Sequence, residues 1–129
     1  MKKIGISLSF IMVLTLLLSG CNNKDAVTVK NGYYVLMTKV GFSPCVTISD
    51  DGFYIGDLLS SSLNNGVSGT YVVDENTLTL TTDDNKYIYV FQIEGENLIF
   101  LKNDSSSLKV INDRVGDQIE DNAIFNLLE

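Results

Sequence analysis

The chain has 129 residues, with nine Lys and Arg against 16 Asp and Glu, for a net charge of −7, and it has no His. The acidic balance argues against nucleic acid as a partner, because that binding rests on Lys and Arg neutralising phosphates. The missing His removes a Ser-His-Asp triad and leaves any nucleophilic Cys without its usual activating base.

In chain order, the first 21 residues fall into three zones. Met1-Lys2-Lys3 is positive, Ile4 to Leu18 is mostly apolar, and Ser19-Gly20-Cys21 ends in small residues. That order reads as a secretory signal peptide over residues 1–20. Its apolar run is shorter than the about 20 residues a helix needs to cross a bilayer core. No basic stop-transfer cluster follows, so an uncut single-pass anchor is the weaker alternative. Leu18-Ser19-Gly20-Cys21 resembles the lipobox of bacterial lipoproteins. The resemblance implies that the Cys21 thiol receives a diacylglycerol, that cleavage makes Cys21 the mature N-terminus, and that the protein sits on the outer face of a membrane. Two acyl chains give stable anchoring where one is marginal.

Removing residues 1–20 takes away two lysines and no acid, leaving 109 residues with a net charge of −9. That is enough chain for one domain with a single core. The charge disfavours adhesion to anionic lipid, so the acyl chains would carry the anchoring alone. It fits a basic protein partner, although an acidic surface commonly serves only solubility.

Residues 21–31 read as a lipidated N-terminus and polar tether, with one domain over residues 32–129. There the chain becomes short β-branched and aromatic runs separated by turn residues. Candidate strands cover residues 32–39, 44–49, 53–57, 69–74, 77–82, 86–93 and 97–102. Between them lie Asp50-Asp51-Gly52, Asp74-Glu75-Asn76, Asp83-Asp84-Asn85 and Glu94-Gly95-Glu96, which suit tight turns. In "TLTLTT", Leu78 and Leu80 alternate with Thr77, Thr79 and Thr81, a half-buried strand. In "KYIYVFQI" both faces are apolar, so closure into a sandwich or barrel, or a partner, must cover them. At the end of the chain residues 108–111 suit another short strand. Residues 123–128 suit either a strand closing beside the first one or, through Ile119, Ala123 and Leu127, a helical stripe; closure favours the strand because it hides an edge. The expected fold is all-β, an antiparallel meander of about 7–9 short strands closing into a small barrel or sandwich.

The order of elements from Phe53 to Phe100, with Phe-x-Ile, a Ser pair, Gly-x-Tyr, Leu-x-Leu and Leu-Ile-Phe, carries a second resemblance. It is similar to small β domains in uncharacterised lipoproteins of Gram-positive anaerobes and in extracytoplasmic regions of antirepressor-type regulators related to β-lactam sensors. This implies a fold and no activity. Ser60, Ser61 and Ser62 have no Lys three residues on, so covalent β-lactam sensing is not implied.

The sequence carries little that suits reaction chemistry. There is no Gly-x-Ser-x-Gly elbow, zinc-ligand cluster, calcium loop or phosphate loop. Carboxylate pairs occur where hairpin turns are expected, and turns favour Asp for local hydrogen bonds. Cys45 reads as a small, partly buried residue. Eight aromatics, among them Tyr33, Tyr34, Tyr54 and Tyr89, suit a core better than a ligand pocket; alternation makes Tyr54 the most exposed near a loop. The sequence therefore points to a non-enzymatic, lipid-anchored binding or accessory domain without metal or cofactor. Its partner-facing candidates are Tyr54, Asp50, Asp51, Asp83 and Asp84, acting through loops or an exposed strand edge. The alternative is a lipocalin-like carrier of a small apolar ligand.

Overall fold

The computed structural model describes residues 26–39, 43–57, 66–108 and 119–129. The expected signal peptide, Cys21, the first part of the expected tether, Ser60–Ser62 and most of the expected strand at 108–111 lie outside them. The strands are β1 (Gly32–Val35), β2 (Pro44–Ser49), β3 (Gly52–Asp57), β4 (Val67–Asp74), β5 (Thr77–Thr82), β6 (Ile88–Glu94), β7 (Asn97–Phe100) and β8 (Ile124–Leu127). Each pairs antiparallel with the next, and β8 returns to β1, closing a barrel. The expected all-β meander is the observed fold, as a barrel.

Alternation explains the closure. Leu78 and Leu80 on β5, Tyr89, Phe91 and Ile93 on β6, Leu98 and Phe100 on β7, and Phe125 on β8 point inward into one core with Tyr34, Val46, Ile48, Phe53 and Ile55. Each such side chain contributes roughly 1.5–3 kcal/mol on burial. Phe91 anchors the centre: its ring lies 5.4 Å from Phe100 and 5.4 Å from Phe125, the latter edge-on. The C-terminal segment shows the two-residue alternation of a strand, with Phe125 buried between exposed Ile124 and Asn126, and helical spacing plays no part. Closure covers only the inner face of β6, leaving Ile88 44 % exposed on the outer wall.

Strand ends differ from the sequence pattern where a partner decides them. The first strand stops at Val35, not near Lys39. Across from it β2 begins at Pro44, which has no N–H to extend the ladder, and the pairing ends with the Leu36 N–H donating to the Pro44 carbonyl at 3.0 Å. β7 stops at Phe100, and a 3₁₀ turn at Lys102–Asp104 follows. β6 therefore outruns β7, and the turn supplies what the strand does not. The Val90 N–H donates to Ser105 Oγ at 2.8 Å, the Ile88 N–H to Ser106 Oγ at 3.0 Å, and the Ser106 N–H to the Ile88 carbonyl at 2.7 Å.

Candidate functional site

The outer wall carries a groove of about 300 Å³ where β2, β3 and β4 meet the turn after β5. Its shape begins with two glycines. Gly52 follows the Asp50-Asp51 turn at φ +150°, a conformation open to glycine, and a Cβ there would sit 2.2 Å from the Gly69 carbonyl oxygen. The tip of the β2–β3 hairpin thus lies against the β4 backbone and carries Asp51 with it. The β4–β5 register pairs Gly69 with Thr82, which sets Asp83 beside Ser68. The Asp83 N–H donates to the Ser68 carbonyl at 3.0 Å, and Ser68 Oγ donates to Asp83 Oδ2 at 2.9 Å.

Tyr54 forms another wall. It points outward from β3 between Thr47 and Ser68 on the flanking strands. It is half-buried, not freely exposed: its ring lies over Gly56 and Gly66, where a Cβ would come within 2.7 Å and 2.0 Å of it. The exposed aromatic among the described residues is Tyr33, at 54 %. Thr47, Ser49 and Thr70 complete the lining with hydroxyls.

The five partner-facing candidates therefore separate. Tyr54, Asp51 and Asp83 share the groove. Asp50 stands outside it, its Oδ1 accepting from Asn31 Nδ2 at 2.8 Å. Asp84 serves its own turn, its Oδ1 accepting from Thr82 Oγ1 at 2.7 Å and from the Lys86 N–H at 3.0 Å. The Thr82 hydroxyl and the Lys86 amide hold its carboxyl below the usual range. The groove hydroxyls were not singled out from sequence, although Thr47 and Ser49 sit at the two-residue spacing that places them on one face of a strand.

The groove joins carboxylates and hydroxyls, and no Lys or Arg lines it among the described residues. Such a surface accepts hydrogen bonds from a cation. Cys45 is a free, buried thiol whose burial raises its pKa, which makes it a poor nucleophile. Among the described residues no group of three or more His, Cys, Asp or Glu stands ready to hold a metal ion. Inside the barrel the Tyr89 hydroxyl is buried and has no hydrogen-bond partner among the described residues, and burial pushes its pKa up to about 12. No family model, curated protein or solved structure matches the chain.

Proposed function

We propose that the protein is a lipid-anchored, extracytoplasmic, non-enzymatic binding domain that takes a basic segment of a partner protein into its outer groove. The observation that carries this reading is the convergence of Asp51 and Asp83 with five hydroxyl side chains on one wall, while aromatic and aliphatic side chains occupy the interior. A Lys or Arg held there gains charge-assisted hydrogen bonds, which are about twice as strong as neutral ones. The anchor rests on Leu18-Ser19-Gly20-Cys21 behind a signal-like segment. Nine residue steps separate Cys21 from Lys30, at most about 30 Å of extended chain. Lys30 is tied to the barrel: its Nζ pairs with Glu96, and the Tyr34 hydroxyl donates to its carbonyl at 2.8 Å. The domain would thus stand close to the lipid surface.

The test is a photoreactive phenylalanine analogue at position 54, irradiated in intact cells. One partner protein should be captured stoichiometrically, and Asp51→Asn with Asp83→Asn should abolish capture. Unchanged adducts in the double variant, or none in the parent, would end the reading. A second reading, the lipocalin-like carrier, is favoured by one observation, the unpartnered Tyr89 hydroxyl inside the barrel. It requires a small molecule, apolar with one polar end, to be found by mass spectrometry in protein purified from cells.

A further inference from the structure

Among the described residues, β4 has a stretch of main chain with a neighbour on one side only. Its ladder with β5 extends from Gly69 to Asp74, but its ladder with β3 covers only residues 67–69, because β3 begins at Gly52. The Asp83 N–H bonds the Ser68 carbonyl, so the main-chain groups of Ser68, Thr70, Val72 and Asp74 face β5. Antiparallel alternation then turns the N–H and C=O of Tyr71 and Val73 to the β3 side. Past Gly52 no strand occupies that side among the described residues. Val72, between them, is 67 % exposed. The same chain closes a comparable overhang on β6 with Ser105 and Ser106, as described above.

An uncovered edge is a template for an added strand. Charge selects what is added. Asp51 lies where the open stretch begins, since Gly52 approaches Gly69 and Thr70, and Asp74 and Glu75 lie where it ends. Neither residues 43–57 nor residues 66–85 contain a Lys or Arg. A second copy of the chain would bring these carboxylates against one another, and facing like charges are destabilising.

We infer that an extended, basic segment of a partner protein adds to β4 beside Tyr71 and Val73, in line with β3, and sends cationic side chains toward Asp51 and Asp83. The inference deepens the proposed function and rests on it. Strand addition supplies the affinity through main-chain hydrogen bonds, and the acidic groove supplies the preference for Lys and Arg.

The experiment is amide hydrogen exchange on the full-length lipidated protein in detergent, with and without a synthetic peptide of alternating Lys and Thr. Binding should slow exchange at Tyr71 and Val73 by about tenfold or more, and should leave Val72, already bonded to β5, little changed. The same peptide N-methylated at every residue keeps its charge and should protect nothing. Val72→Lys should weaken binding and Val72→Glu should keep it, both at an exposed side chain that folding does not need. Absence of binding would overturn the inference, as would peptide bound with Tyr71 and Val73 unprotected. Protection that rises with protein concentration alone would also overturn it, in favour of a second copy. If capture at position 54 in cells persists while Tyr71 and Val73 stay unprotected, strand addition falls and the proposed function stands.

Discussion

Tyr89 buries a hydroxyl that has no hydrogen-bond partner among the described residues. A buried, unsatisfied polar group costs about 1–3 kcal/mol, so Tyr89→Phe should stabilise the protein by about 1 kcal/mol in urea denaturation. A comparable loss would mean the hydroxyl is used by something bound, which would strengthen the carrier reading. Ionisation gives an independent check. The native phenol titrates at about 12 against 10.0 for an exposed tyrosine. Below pH 10 both states are neutral and its contribution is complete; it is lost as pH rises toward 12, because only the unfolded chain ionises in that window. Tyr89→Phe should therefore flatten the alkaline fall in stability. Cys45 makes the complementary case. Its side chain is 5 % exposed and its pKa is raised by burial. With Cys21→Ser leaving it as the sole thiol, modification by a thiol reagent should keep pace with unfolding and not with thiolate concentration in the native state.

At the scale of strands and turns, Gly69 holds β4 against β5. A Cβ there would lie 1.9 Å from the Thr81 carbonyl oxygen, and neither backbone yields without breaking the ladder. Gly69→Ala should cost about 3 kcal/mol, the upper end for overpacking. Gly95 offers the contrast: it has φ +62° with nothing within 4 Å, so Gly95→Ala should cost only the left-handed strain of about 1 kcal/mol. Equal losses in urea denaturation would refute the close-approach argument. The same scale explains what the sequence could reveal. Turn clusters such as Asp74-Glu75-Asn76 and the alternation of Leu78 and Leu80 are local, and they were enough to read an antiparallel meander. The stop at Val35 depends on Pro44 across the ladder, and the burial of Tyr54 depends on Gly66, twelve residues further along the chain. The presence of Asp51 and Asp83 in one groove depends on the register of Gly69 against Thr82. None of these is visible in one strand's own pattern, so the acids were readable as turn residues while their shared groove was not.

For the whole molecule, charge and the proposed anchor act in opposite directions. The chain without its first 20 residues carries −9, and repulsion from anionic headgroups works against any peripheral attachment. In the proposed reading, membrane retention comes from acyl chains on Cys21, whose hydrophobic contribution salt does not screen. Two measurements on one variant separate these effects. The parent protein should stay in the membrane fraction through a high-salt wash, and Cys21→Ser should lose labelled-palmitate incorporation and become extractable at any salt concentration. The barrel should be unchanged by that substitution, because its ladder begins at Gly32 and, among the described residues, the incoming chain meets it at Val29, which packs on the core, and at Lys30; the urea midpoint in detergent should therefore match the parent. Palmitate retained by Cys21→Ser would refute lipidation at this residue. Membrane retention that vanished in salt would show attachment through a charged partner instead, and would make that partner, not the bilayer, the surface on which the acidic groove works.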